Sequence, residues 1–125
     1  MYTILIVDDE RPAQTFLKAI CQKYCPAFDT ILLSGSADDA LRQHVHVLVT
    51  DISMPGINGI ELAQRVRQLY PRTHTVIVSG YAEFEFARGA IQAGVDDYLL
   101  KPVEIQSFRQ ILDRIRETLD AEANN

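Results

Sequence analysis

The sequence predicts one α/β domain with a doubly wound, five-stranded parallel sheet and five helices. Five short apolar runs show little polar alternation, which is typical of strands that are buried on both faces. Each run is followed by a segment in which apolar residues recur at helical spacing. The connections are short, and right-handed crossovers would place helices on both sides of the sheet. A length of 125 residues suits a single domain with one hydrophobic core.

The predicted strands and helices alternate along the chain. The first helix begins near Pro12 and ends before Pro26, because proline is tolerated in the first turn and stops a helix just beyond its end. Ser36 is the predicted N-cap of a short second helix that ends near Gln43. The strands are TILIVD, TILLSG, VHVLVTD, HTVIVSG and DYLLKP, at residues 3–8, 30–35, 45–51, 74–80 and 97–102. The other three helices are predicted over residues 59–69, over residues 83–93, and from residue 104 onward.

The first and last helices carry clear apolar faces at three- and four-residue spacing. The face of the first helix consists of Ala13, Phe16, Leu17, Ile20 and Tyr24. The face of the last helix consists of Phe108, Ile111, Leu112, Ile115 and Leu119. We expect residues 1–120 to form the domain. Residues 121–125 are expected to be a frayed tail or the start of a linker to a domain outside this chain.

Composition excludes several classes of function. The formal net charge is −5, from 17 acidic and 12 basic residues, and no stretch is rich in Lys or Arg. Such a surface repels a phosphate backbone, so this chain is not expected to bind DNA or RNA by itself. No apolar run approaches the roughly 18 residues that a membrane span needs, and the start turns acidic at once. We therefore expect no membrane contact and a cytoplasmic location.

The only two cysteines, Cys21 and Cys25, lie one helical turn apart. A disulfide is possible at this spacing but uncommon, and no His or further Cys accompanies the pair as a zinc site would require. We expect two reduced thiols close to the core-facing stripe of the first helix.

Chemically active side chains stand at the carboxyl ends of the predicted strands. Asp8 and Asp9 follow the first strand, Asp51 ends the third, Ser79 lies at the end of the fourth, and Lys101 at the end of the fifth. In open α/β sheets, ligands bind in the crevice beyond these ends. If the strands are adjacent, carboxylates, a hydroxyl and an ammonium group converge on one small site.

This set of groups favours phosphoryl transfer to an aspartate. Crowded carboxylates repel one another unless their pKa values rise or a cation joins them. Oxygen ligands without His or thiolate suit a hard divalent ion such as Mg²⁺. A carboxylate can also act as a nucleophile and take a phosphoryl group as an acyl phosphate. The cation, Lys101 and the Ser79 hydroxyl can neutralise charge on the transferred group.

The motifs resemble the CheY-like receiver family of response regulators. The resemblance covers essentially the whole chain and rests on four motifs in order: DD, D-x-x-MPG-x-x-G, SG and KP, within IVDDE, VTDISMPGINGIEL and VIVSGYAEFEFARGAIQAGVDDYLLKPVE. It implies a flavodoxin/CheY-like sheet of strand order 2-1-3-4-5. It also implies a signalling switch that assists its own phosphorylation and dephosphorylation but is not an enzyme.

The resemblance assigns roles to the acidic residues. Asp51 matches the phosphoacceptor. Asp8 and Asp9 match the acidic pair that holds Mg²⁺, with Asp9 as a direct ligand and Asp8 acting directly or through water. Asp51 itself and the backbone carbonyl of Ser53 would complete the protein ligands.

The resemblance also assigns the residues that respond to phosphorylation. Lys101 would pair with a phosphoryl oxygen, and the Lys101–Pro102 bond would be cis. Ser79 matches the hydroxyl residue that closes on the phosphoryl group, although a Ser after a buried strand can simply cap a turn. Tyr98 matches the aromatic residue whose rotation follows that closure, but it also suits a half-buried strand position. A bulky Tyr81 could shield the acyl phosphate from water.

Two departures from the family pattern lie away from the site. Between Ala40 and Asp51 the chain is about one helical turn shorter than in many relatives, so we expect a truncated second helix. Val45 and His46 stand where many relatives have Pro-Asp.

The implied function is that of a receiver phosphorylated by a sensor histidine kinase. Phosphorylation would change the surface of the helix over residues 83–93 and of the fifth strand, and would favour a homodimer. The segment from Ser79 to Glu104 is especially similar to receivers joined to an AraC-type helix-turn-helix domain. The protein would then contact DNA only through an output domain that is not present in this chain. On this resemblance, the chain is expected to be an excised fragment and not a stand-alone relay.

Two other classes of protein fit the sequence less well. A haloacid dehalogenase-type phosphatase needs a second Asp two residues after its nucleophile, and Ser53 occupies that position here. A nucleotide-binding module would need a glycine-rich phosphate loop after the first strand, where Asp8 and Asp9 stand instead.

Overall fold

A computed structural model of the chain, which describes residues 1–80 and 94–124, contains one five-stranded parallel sheet of order β2-β1-β3-β4-β5. This arrangement confirms the predicted fold class and strand order. The helix predicted over residues 83–93, together with Tyr81, lies outside the described residues. The strands are β1 (Thr3–Val7), β2 (Thr30–Ser34), β3 (Val47–Asp51), β4 (His74–Ser79) and β5 (Asp97–Leu100).

Four of the five predicted helices fall within the described ranges, and all four form. They are α1 (Arg11–Tyr24), α2 (Ala37–Arg42), α3 (Gly59–Leu69) and a C-terminal helix (Ile105–Ala123). The Ser36 hydroxyl accepts a hydrogen bond from Asp38 N at 3.2 Å, which confirms the predicted N-cap of α2. Asn58 caps α3 in the same way, since its Oδ1 accepts from Glu61 N at 2.9 Å. With six residues, α2 is as short as the sequence predicts.

The core has two layers because β1 and β3 are buried on both faces. Ile4 and Ile6 of β1 pack on the side of α1 and the C-terminal helix, whereas Leu5 and Val7 pack on the side of α2 and α3. All five predicted core residues of the C-terminal helix are buried. The central strands therefore hold their ends in fixed positions between two layers of helices.

Phe16 departs from the predicted core face of α1. The buried residues of this helix are Gln14, Leu17, Ile20 and Cys21, while Phe16 is 43% exposed. At 3.6 residues per turn, Phe16 lies about 100° around the helix from Leu17, at the edge of the buried stripe. It lines an apolar groove that reaches Asp8 and Lys101.

Three smaller points refine the predictions from sequence. The third strand begins at Val47, two residues later than expected. The C-terminal helix continues through Ala123. Cys21 and Cys25 are buried free thiols, as predicted, and burial raises the pKa of Cys21 to about 12.

No helix within the described ranges is both long and apolar enough to cross a lipid bilayer.

Candidate functional site

The predicted acidic residues, Ser79 and Lys101 stand at one edge of the sheet, where the parallel strands end. Val7 pairs in register with Thr50, and Ser79 pairs with Leu100. Asp8 therefore follows β1 beside Asp51 at the end of β3, and Lys101 follows β5 beside the end of β4. The register of the sheet thus brings together side chains that are far apart in the sequence.

Lys101 bridges two buried carboxylates. Its Nζ lies 3.1 Å from Asp51 Oδ2 and 3.2 Å from Asp8 Oδ2. The Asp8 and Asp51 side chains are only 4% and 7% exposed, while that of Lys101 is 31% exposed. Because one ammonium group serves two carboxylates, this three-residue group keeps one excess negative charge. A divalent cation beside it would be attracted by that charge.

The pKa values of Asp51 and Lys101 are both shifted by burial and by the charges within this three-residue group. Burial raises the pKa of Asp51, and the hydrogen bond and charge of Lys101 oppose that rise only in part. Partial burial acts to lower the pKa of Lys101, but the Asp51 and Asp8 carboxylates outweigh it and raise that pKa overall. Lys101 is therefore a stable cation at neutral pH, held next to a carboxylate in an unfavourable, poorly solvated position.

Asp8 is held in place through each of its polar groups. Its backbone N donates to Ser34 O at 3.0 Å, and its Oδ1 accepts from Glu10 N at 2.9 Å. Its Oδ2 contacts Lys101, and its carbonyl accepts from the Gln14 side chain at 2.6 Å. These contacts commit much of the Asp8 carboxylate to the protein.

Asp9 and Glu10 are exposed and lie beside Asp8. Carboxylate oxygens of these three residues lie within 4.8 Å of one another, close enough to bind one ion. Asp51 is not part of this group, and its Oδ1 accepts from Ile52 N at 2.8 Å. The donors are all oxygens, which fits Mg²⁺ better than a metal that prefers nitrogen or sulfur ligands.

The loop after β3 and the start of α3 pack against the backbone of Asp51. Gly59, the first residue of α3, packs directly on the Asp51 backbone, and its N donates to Ile52 O at 2.9 Å. Gly56 has a positive φ of 85°, which glycine adopts without strain. Ser53 is exposed on this loop. The D-x-x-MPG-x-x-G motif thus forms a compact turn, while metal binding by the Ser53 carbonyl remains a prediction.

Ser79 is completely buried at the end of β4. Among the described residues, its hydroxyl finds no hydrogen-bond partner. A buried hydroxyl without a partner is unfavourable, so an incoming acceptor oxygen would relieve it. A phosphoryl oxygen on Asp51 is an acceptor of that kind.

Tyr98 lies half-buried on β5 and packs against Ile52, Ala63 and Ile77. This position suits both the structural and the switching interpretation of Tyr98, so its switch role remains a prediction. The Lys101–Pro102 peptide bond is cis, as the resemblance predicts.

Sequence reasoning missed Gln14. Its side chain is buried on α1 and donates to the carbonyls of Asp8 and Ser34, beside the acidic residues. The signal in the sequence is a polar residue one helical turn before Leu17, at the edge of the apolar face of α1.

Comparisons with known proteins agree with this geometry. Residues 4–113 match the response regulator receiver domain family. The uncharacterized transcriptional regulatory protein YesN of Bacillus subtilis (strain 168) is 34% identical over 119 residues, which are 92% of this chain and 32% of YesN. The transcriptional regulatory protein HptR of Staphylococcus aureus (strain NCTC 8325 / PS 47) is 37% identical over 123 residues, which are 95% of this chain and 48% of HptR.

A solved structure is also similar over almost the whole chain. The REC domain of AraT, a response regulator from Geobacillus stearothermophilus, superposes with a TM-score of 0.87 at 31% identity, covering 98% of each chain. The chain therefore belongs to the response regulator receiver domain family of two-component systems. Receiver domains are signalling switches that interact with histidine kinases, and phosphorylation and Mg²⁺ dependence are general to the family. The chain spans half or less of the length of these curated relatives.

Proposed function

We propose that Asp51 is the phosphoacceptor of this receiver and takes its phosphoryl group from a sensor histidine kinase. The observation that carries this proposal is the position of Asp51, buried at the end of β3 with Lys101 Nζ 3.1 Å from its carboxylate. An oxygen of Asp51 forms the new bond to phosphorus as the bond to the donor breaks. Lys101 then faces the added negative charge.

Asp9, Asp51 and the Ser53 carbonyl would hold Mg²⁺, with Asp8 contributing directly or through water. When bound, the ion would neutralise charge on the transferred phosphoryl oxygens. The Asp8 contacts with Lys101 and Glu10 N keep that carboxylate oriented before any ligand arrives. Preorganised groups of this kind need little rearrangement during the reaction.

Phosphorylation would be transmitted through Ser79 and Tyr98. The Ser79 hydroxyl, buried and without a partner among the described residues, would donate to a phosphoryl oxygen. Closure of Ser79 on the phosphoryl group would be followed by rotation of Tyr98 on the neighbouring strand β5. The protein would act as a switch rather than as an enzyme with a substrate of its own.

The output would be a changed surface on the helix predicted over residues 83–93 and on β5, used for a homodimer. By analogy with YesN and HptR, whose names describe transcriptional regulatory proteins, the full-length protein would regulate transcription. An output domain of the AraC type, outside this chain, would then supply all contact with DNA. The expected compartment is the cytoplasm, and no role at a membrane is proposed.

The direct test is labelling by acetyl phosphate, followed by intact mass spectrometry. We expect one phosphoryl adduct that requires Mg²⁺ and is absent from Asp51→Asn. Asp29→Asn, at an exposed position away from the site, is the matched control and should be labelled like the wild type. Labelling that persists in Asp51→Asn would place the acceptor elsewhere, and no labelling of the wild type would reject phosphorylation of this chain.

A further inference from the structure

The Gln14 side chain joins the ends of two strands to helix α1. Its Nε2 donates to Asp8 O at 2.6 Å and to Ser34 O at 3.1 Å. An amide group carries two N–H donors, so a single side chain can satisfy both carbonyls. Asp8 and Ser34 are themselves joined by the hydrogen bond from Asp8 N to Ser34 O at 3.0 Å. The three residues thus form a closed hydrogen-bonded unit, which we call the Gln14 clamp.

The clamp lies where the ladder of β1 and β2 ends. Val7 and Ser34 are the last residues paired in register, so the carbonyl of Asp8 lies beyond that pairing. Gln14 is buried near the start of α1, the helix that directly follows the acidic residues 8–10 in the chain. Few waters can reach these carbonyls, so the amide of Gln14 supplies hydrogen bonds that solvent does not.

The clamp acts on the same turn that carries the acidic residues. Asp8 O is held by Gln14, while the Asp8 carboxylate is held by Glu10 N and Lys101. The backbone of the turn is therefore fixed at its first residue, Asp8. This restricts the positions of the exposed carboxylates of Asp9 and Glu10, which are the next two residues. A small ion with strict octahedral geometry responds strongly to displacement of its ligands.

We propose that Gln14 is a positioning residue for the Mg²⁺ site: it holds the backbone of the Asp8–Asp9–Glu10 turn, so that the Asp8 and Asp9 carboxylates stay where they can bind the ion. This inference rests on the proposed function and adds a residue that touches neither the ion nor the phosphoryl group. Residues that orient metal ligands from outside typically change metal affinity by about 10- to 100-fold when they are removed.

The test replaces Gln14 by Met, which has similar length but no donor, and measures Mg²⁺ binding alone by isothermal titration calorimetry. We expect the Kd for Mg²⁺ to rise by about tenfold. In acetyl phosphate labelling, the Mg²⁺ concentration for half-maximal rate should rise by the same factor. The rate at saturating Mg²⁺ should stay within about twofold of the wild type, because Asp51 and Lys101 are untouched.

A control variant separates positioning from general destabilisation. Ile20→Ala removes a buried side chain from the same helix, away from the acidic turn, and lowers Tm. Its Kd for Mg²⁺ should remain that of the wild type. Gln14→Asn keeps the amide but is one methylene shorter, so it should lose one of the two contacts and show a smaller rise in Kd, even if Gln14→Met folds poorly.

The outcomes are distinguishable. A Gln14→Met protein with lowered Tm and an unchanged Kd for Mg²⁺ would show that Gln14 is structural only and would overturn the inference. An equal rise in Kd in Ile20→Ala would do the same. A wild type that neither binds Mg²⁺ nor becomes labelled would instead reject the proposed function, and the inference with it.

Discussion

Gly59 lies so close to Asp51 that a Cβ atom at residue 59 would stand 2.1 Å from the Asp51 carbonyl oxygen. The same atom would meet the Asp51 carbonyl carbon at 2.9 Å. The first residue of α3 therefore packs on the backbone of the proposed phosphoacceptor, with no space for any side chain. The second glycine of the MPG-x-x-G motif is a packing requirement of the site.

Gly59→Ala is expected to destabilise the protein and to lower its labelling. At the first position of a helix alanine gains little helix propensity over glycine, whereas overpacking a close-packed site typically costs about 1–3 kcal/mol. We expect a net loss of about 2 kcal/mol in the free energy of unfolding. Urea denaturation measures this loss, and acetyl phosphate labelling reports the displacement of Asp51.

Gly35→Ala is the control for Gly59→Ala. A Cβ at residue 35 would meet Asp8 O at 3.7 Å, an ordinary contact, and Gly35 is not at a positive φ. Its effect should stay within about 0.5 kcal/mol. If the two variants have equal stability, the close approach of Gly59 to Asp51 is not a constraint on the fold.

Lys101→Ala is expected to slow labelling of Asp51 at saturating Mg²⁺ by about 100-fold or more. The reason is that Lys101 Nζ, 3.1 Å from Asp51 Oδ2, is the cation placed to meet the developing charge. Lys23→Ala is the control, because Lys23 contacts the Tyr24 ring and not the site. Rates are measured by intact mass over time, and a Lys101→Ala rate within threefold of the wild type would exclude a role in transfer.

Asp51→Asn is expected to raise Tm in the absence of Mg²⁺. Burial raises the pKa of Asp51, which shows that its charged form is poorly accommodated, and the amide removes that charge while Asp8 still pairs with Lys101. Added Mg²⁺ should raise Tm less in the variant than in the wild type, because one ligand is lost. A Tm several degrees below that of the wild type would show that the Asp51–Lys101 pair stabilises the fold.

His74 is expected to make stability depend on pH. Its Nδ1 lies 3.0 Å from Asp96 Oδ1 and its Nε2 lies 3.2 Å from Glu122 Oε1, so both ring nitrogens face carboxylates. The hydrogen bond to Asp96 raises the pKa of His74, although burial opposes it. A raised pKa gives stability that is complete below the unfolded value of about 6.5 and is lost as pH rises through the folded value.

His74→Gln should therefore lower stability more at pH 6 than at pH 8, as measured by urea denaturation at both values. An equal loss at pH 6 and pH 8 in His74→Gln would show that the charge of His74 adds nothing to the link between β4, the residues before β5 and the end of the C-terminal helix.

The architecture and the residues that make up the site could be predicted from the pattern of apolar runs and the groups that follow them. Continuous apolar runs such as Thr3–Val7 can be buried only between two layers, and this requirement dictates a covered parallel sheet. In such a sheet the strand ends meet at one edge, so the positions of Asp8, Asp51, Ser79 and Lys101 along the chain were enough to group them.

The contacts among these residues could not be predicted from the sequence. Lys101 lies between Asp8 and Asp51, which are 93 and 50 residues away in sequence, and this depends on strand register and side-chain direction. The same is true of the Gln14 clamp, because a glutamine on a helix gives no sign of which carbonyls it will reach. The exposure of Phe16 likewise depends on how α1 is rotated against the sheet, since an apolar residue at the edge of a helical face can be buried or exposed.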